Sequence, residues 1–160
     1  MKKSAGILIY KKDKTLKVLL CHPGGPYWEN THLHSWGIPK GELDKDERVK
    51  EAAIREFKEE TNLDIKGDID FLYSKKVSNN KLVTIFYKEQ DLDLSNCQSN
   101  TFSLEWPKGS NKMNEYPEND KFEWIDIEEA YNLIFVQQTI FLDKLKEKIY
   151  NELKGDINVK

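Results

Sequence analysis

The chain has 160 residues, 33% of them charged and 38% hydrophobic, and carries a net charge of −3. That length suits one well-packed domain, and the mildly acidic balance excludes a general basic field for nucleic acid or anionic membrane. Two cysteines, Cys21 and Cys97, supply neither a disulfide framework nor zinc-site spacing, so the chain reads as a cytoplasmic protein.

The first apolar run, Ala5 to Tyr10, is too short for a signal peptide or membrane span and predicts a strand. A second run, Leu16 to Cys21, follows the polar Lys11–Lys14 stretch, which suits a hairpin turn. His22 to Pro26 (HPGGP) is a cluster of breakers and predicts a loop. Tyr27, Trp28, His32, His34 and Trp36 crowd the next stretch, as packing under that loop or as a wall for a nucleobase. The three histidines lack metal-ligand spacing and read as surface or substrate-contact residues.

A helix is predicted from Lys45 to Thr61, capped by Asp44 with Glu47 and closed by Asn62 in the left-handed conformation. Ile65–Lys76 and Leu82–Lys88 predict a hairpin around Ser78–Lys81, with Lys75 and Lys76 as solvated lysines. Thr101–Trp106 predicts a short strand, Pro107–Asp120 a long loop, and Lys121–Asp126 another strand. Asp126 is placed to cap a helix from Ile127 to about Phe135, and a last helix covers about Gln138–Leu153. One domain over 1–153 is expected, with a frayed tail from 154 to 160.

The chemistry gathers in the helix from Lys45 to Thr61. Glu56, Glu59 and Glu60 stand three and four residues apart, so a helix projects them as neighbours from one face. Val49, Ala53, Ile54 and Phe57 form an apolar stripe for the core. Neighbouring carboxylates repel one another, and a divalent cation reverses the penalty; hard oxygen ligands suit Mg²⁺ or Mn²⁺ and a phosphate-bearing substrate. Arg55 stands four residues before Glu59 and eight after Glu47, placed to bridge carboxylates. The lead-in Trp36–Glu42 (WGIPKGE) puts two glycines, a proline and the cation of Lys40 just before the helix, where anions are favoured.

The run Gly41, five residues, Glu47, seven residues, then Arg55-Glu56-Phe57-Lys58-Glu59-Glu60-Thr61-Asn62-Leu63 resembles the Nudix box. Every charged position of that box is present. Asn62 stands where the family usually has glycine, and Phe57 where an aliphatic residue is usual. The lead-in is similar to that of the diadenosine polyphosphate hydrolase branch. In that branch a glutamate six residues before a strand tryptophan supports the metal site, and Glu118 stands six before Trp124 here.

The resemblance implies an α/β (α+β) fold, an α/β/α sandwich with a mixed β-sheet and a catalytic loop–helix–loop. It implies Mg²⁺-dependent hydrolysis of a nucleoside diphosphate linked to another moiety, with dinucleoside polyphosphates and nucleoside triphosphates as candidate substrates. Glu56, Glu59, Glu60, the Lys40 main-chain carbonyl and Glu118 are the implied metal ligands. Arg55, Glu56, Glu59 and Glu118 form the implied catalytic group, with Glu56 and Glu118 ahead of Glu105 and Glu115 as general base. Lys40 is placed to contact phosphate, and Tyr27, Trp28 and Tyr87 to stack bases. The competing classes are a non-catalytic nucleotide-binding or sensing module, which usually loses a box carboxylate, and an RNA 5′-pyrophosphohydrolase, for which the charge gives no footprint.

Overall fold

The computed structural model describes residues 1–158. Its element order is β1 (Lys2–Asp13), β2 (Thr15–Pro23), β3 (Lys40–Glu42), α1 (Val49–Thr61), β4 (Asp70–Ser78) and β5 (Lys81–Glu89). There follow β6 (Thr101–Glu105), β7 (Met113–Pro117), β8 (Asn119–Asp126), α2 (Ile127–Leu133), a 3₁₀ turn (Val136–Gln138) and α3 (Thr139–Asn158). The main sheet runs β4-β5-β1-β2-β8, with β3 paired to β1 beside Lys40 and Gly41. The β1–β5 pair is parallel and the other pairs are antiparallel, so the sheet is mixed.

Alternation along β1 and β2 sorts the core to two faces. Leu8, Tyr10, Val18 and Leu20 pack with Ala130 of α2 and with Phe141 and Leu145 of α3. Ala5, Ile7, Ile9 and Leu19 pack with Ala52, Ala53 and Phe57 of α1. The result is helix, sheet, helix, as the resemblance implies. No helix among the described residues is long and apolar enough to cross a membrane.

Four elements differ from the sequence expectation. Lys11–Asp13 belong to β1 rather than to a turn, because the hairpin reverses at Lys14 alone, in the left-handed region at φ 58°. Strand β4 begins only at Asp70, because Leu63 and Ile65 pack as loop residues against the α1 core. The expected loop from Pro107 contains β7, which pairs with β6 as a separate two-stranded ribbon. Helix α3 runs past Leu153 to Asn158, and the last two residues lie outside the described ones.

The β6–β7 ribbon is pinned at its root. Glu118 N donates to Asn100 O at 2.7 Å, Asn119 N donates to Ser99 Oγ at 2.8 Å, and Gly24 N donates to Glu118 O at 3.0 Å. These bonds carry the start of β8 back to the end of β2, beside the carboxylates of α1.

Candidate active site

Helix α1 begins at Val49, not Lys45. Asp44 N donates to Glu47 Oε1 at 2.9 Å, half of a capping box, but Asp46 turns left-handed at φ 63° and Arg48 takes the N-cap. Both oxygens of Glu47 are taken by Arg55, from Nε at 2.7 Å and Nη2 at 2.8 Å. That guanidinium holds the Glu47 carboxyl down at about 2. Arg55 Nη1 also donates to Glu56 Oε1 at 2.8 Å and to Glu59 Oε2 at 3.0 Å, while Nη2 reaches the Glu42 carbonyl at 3.0 Å. The planar fork thus ties three carboxylates and the end of β3 into one network. At the other end, Asn62 closes the helix at φ 64°, as expected for its left-handed role.

The buried side of α1 comprises Ala52, Ala53, Phe57 and Thr61, together with Glu56 itself, whereas Ile54 of the expected stripe is exposed. Glu56 is buried because β3 passes directly over it. A Cβ built on Gly41 would run into the Glu56 carboxylate. A side chain at 41 would push the Glu56 carboxylate off its Arg55 partner, so the glycine there serves space rather than backbone conformation. Burial raises the Glu56 pKa, and the Arg55 hydrogen bond opposes that rise.

One turn on, Glu60 faces a cleft of about 230 Å³ that it lines with Lys40, Glu118, Trp28, Phe135 and Gln138 among others. Asn119 Nδ2 hydrogen-bonds Glu60 Oε2. Burial, then the charges of Glu118 and Glu56, push the Glu60 carboxyl up to about 7. Trp28 and Phe135 meet edge to face with ring centroids 5.5 Å apart at the side of this cleft. Cys21 also lines it, but burial raises its pKa and keeps it a thiol. A larger cavity of about 430 Å³ shares Lys40 and Gln138 with the cleft and brings in Lys81. The Lys40 pKa is lowered, first by burial and then by Lys81. Two cations side by side suit an anion.

Among the described residues, no three His, Cys, Asp or Glu side chains already converge with coordination spacing. The reason is local: Arg55 holds Glu56 and Glu59, and Asn119 holds Glu60. The donor set still fits a hard divalent cation. It is rich in carboxylate oxygen, and Glu60 is half-buried against two like charges that a cation would neutralise.

This geometry has a pH signature. The folded-state pKa of Glu60 lies above its ordinary value, so its stabilising contribution is full below about 4.5 and is lost as pH rises through about 7. Glu47 behaves in the opposite way: its contribution is present above about 4.5 and is lost toward about 2. Thermal denaturation in EDTA and in Mg²⁺ is therefore expected to show a larger Mg²⁺-induced rise in Tm at pH 8 than at pH 5.5. Equal rises at both values would remove Glu60 from the cation site.

Not every sequence candidate joins the cleft. Tyr87 is buried on the α3 side, stacked on Tyr10 at 6.3 Å and donating to Glu152 at 3.1 Å, so it is not placed to stack a base there. Alternation put it on a sheet but could not choose the face. Glu105 and Glu115 sit on the β6–β7 ribbon, outside the cleft lining. Tyr27 packs edge-on against Trp106 at 5.1 Å. Lys75, expected to be solvated, donates to the Gln137 carbonyl at 3.0 Å. His22, expected at the surface or in contact with substrate, is fully buried. Sequence reasoning missed Asn119, Phe135 and Gln138. Gln138 Oε1 accepts from Ile38 N at 2.9 Å and braces the Pro-Lys-Gly lead-in, and no motif announces it.

A NUDIX domain family model matches residues 1–145. Among solved structures, the chain is similar to a Caenorhabditis elegans Ap4A hydrolase binary complex, at 22% identity over 94% of this chain and 99% of that one, TM-score 0.62. It is also similar to the NUDIX domain of Shewanella oneidensis NrtR complexed with ADP ribose, at 16% identity over 92% and 87%, TM-score 0.62. A third likeness is to a NUDIX hydrolase from Listeria monocytogenes, at 20% identity over 93% and 94%, TM-score 0.61. No curated protein sequence matches. With its box carboxylates intact and the family model spanning most of its length, the chain belongs to the NUDIX family, as a pyrophosphohydrolase of nucleoside diphosphate-linked compounds.

Proposed function

We propose that this enzyme hydrolyses a phosphoanhydride bond in dinucleoside polyphosphates or nucleoside triphosphates with Mg²⁺ as cofactor, Mn²⁺ being a substitute. The observation that carries this reading is one cleft lined by Glu60, Glu118, Lys40 and the Trp28–Phe135 pair. Glu56, Glu59, Glu60, Glu118 and the Lys40 carbonyl would hold the cation, which supplies charge neutralisation on the phosphates and acidifies water. Lys40, with Lys81 beyond it, binds the phosphate chain. Trp28 and Phe135 bind the base by stacking. Glu56 and Glu118 are the candidates to take the proton of the attacking water, Glu118 being the exposed one and Glu56 the buried one. Arg55 holds Glu47, Glu56 and Glu59 in register.

The likeness to an Ap4A hydrolase favours dinucleoside polyphosphates. The net charge of −3 disfavours RNA, and the retained box carboxylates disfavour a purely binding module. Both cysteines are free, which supports a cytoplasmic setting.

A panel of dinucleoside polyphosphates, nucleoside triphosphates and ADP-ribose with Mg²⁺ tests the proposal through phosphate or pyrophosphate release. No release from any member would return the protein to the binding-module class. For the preferred substrate, Trp28→Ala is expected to raise KM about tenfold with little change in kcat. An unchanged KM would place the base elsewhere.

A further inference from the structure

His22 has no solvent exposure, and both of its ring nitrogens are engaged. Nε2 lies 2.9 Å from the Thr31 carbonyl oxygen, which can only accept, so Nε2 carries a hydrogen. It also lies 3.1 Å from Thr31 Oγ1, whose own hydrogen goes to the Trp28 carbonyl at 2.7 Å. Thr31 N donates to that same carbonyl at 3.0 Å. The turn that presents Trp28 is therefore closed on one side by Thr31 and anchored through Thr31 to His22.

The other nitrogen reaches a different element. Nδ1 lies 2.8 Å from Asp120 Oδ1, with one proton between them. In the β2–β8 ladder His22 pairs with Lys121 and Pro23 with Asn119, so Asp120 is the extra residue of a β-bulge. Such bulges bend a strand and re-aim the side chains beside them. Here the neighbours are Asn119, which hydrogen-bonds Glu60, and Glu118, which lines the cleft. His22 holds the bulged residue by its side chain. The ring also packs against Trp36 at 5.3 Å, and the Trp36 indole nitrogen has no hydrogen-bond partner among the described residues. Packing, rather than polar contact, therefore keeps Trp36 in place under the ring.

We propose that His22 is a positioning residue: one imidazole locks the bulge that presents Glu118 and Asn119 and the turn that presents Trp28, without touching substrate. The proposal rests on the roles given above to Glu118 and Trp28. It predicts that the two arms separate. Thr31→Val weakens the arm to Trp28 by removing the hydroxyl's bonds to His22 and to the Trp28 carbonyl while the main-chain bonds of Thr31 stay. Asp120→Ala cuts the arm to the bulge, and His22→Phe keeps the ring volume while removing the imidazole's bonds in both.

Kinetics with Mg²⁺, using the fastest substrate among diadenosine tetraphosphate, ATP and ADP-ribose, are paired with amide hydrogen exchange. Thr31→Val should raise KM about threefold with kcat held, Asp120→Ala should lower kcat about tenfold with KM held, and His22→Phe should do both. Exchange should quicken over 24–34 in the first variant, over 117–121 in the second, and over both in the third. A folded His22→Phe protein with lowered Tm but wild-type kcat and KM overturns the proposal. If His22→Phe fails to fold, the single-arm variants decide, and parallel changes in kcat and KM, or none, overturn it. Should the wild-type protein hydrolyse nothing, the functional reading falls by itself. Exchange then decides the clamp: unchanged exchange in both segments refutes it.

Discussion

Glu60→Gln is expected to lower Mg²⁺-dependent turnover by about three orders of magnitude, or about 4 kcal/mol of transition-state stabilisation, while leaving the fold intact. The amide keeps the shape of the side chain and can still accept from Asn119. It loses the negative charge that the site is built to offer. The same change removes a carboxylate held up at about 7 by burial and by its neighbours Glu118 and Glu56. The metal-free variant is therefore expected to melt higher than the wild type at pH 8, a gain in stability bought with function. Steady-state kinetics and a melt in EDTA check both halves. Turnover near wild type would sink the ligand assignment, and a lower Tm would sink the electrostatic account.

Arg55→Ala is the second large expected effect, and it acts in the opposite sense on stability. Arg55 is the hub of hydrogen bonds to Glu47, Glu56, Glu59 and the Glu42 carbonyl. Its side chain is 27% exposed, so solvent screens part of the loss. Removing it leaves three carboxylates facing one another without a cation, at an expected cost of about 2–4 kcal/mol in denaturant unfolding. Turnover is expected to fall about 100-fold, because Glu56 and Glu59 lose the group that orients them. Arg55→Lys should recover little, since one ammonium cannot replace a fork that reaches five acceptor oxygens on four residues. Full recovery of activity in the lysine variant would show that charge alone, and not geometry, is what Arg55 supplies.

How far the sequence could be read depends on how local each signal is. The helix face of Glu56, Glu59 and Glu60, the bridging by Arg55 and the left-handed Asn62 all follow from spacing within one element, and each was legible. The helix start was not, because Glu47 is shared: it serves Asp44 as a half-capping box and Arg55 as an ion-pair partner. Asp46 turns left-handed to allow both. Strand β7 was hidden by Pro107, Gly109 and Pro117, whose punctuation reads as loop until Thr101–Glu105 arrives as a partner. Tyr87 shows the limit of alternation, which separates two faces without saying which helix covers each. Gln138 acts through a long-range hydrogen bond to Ile38, Asn119 through hydrogen bonds to Glu60 and Ser99, and Asp120 through a bulge. Such contacts leave no periodic trace in a chain.

The pinned root of the β6–β7 ribbon has a practical consequence. Ser99, Asn100, Glu118 and Asn119 close the ribbon where it leaves the body, and beyond them Trp106 packs on Tyr27. At Gly109 the surroundings are open, with nothing within 4 Å of where a side chain would begin. A short epitope or lanthanide-binding peptide grafted between Lys108 and Gly109 is expected to leave turnover within about twofold. The enzyme would then carry its own handle for immobilisation or distance measurement, and a larger loss on grafting would show that the ribbon works as a lever rather than as an appendage.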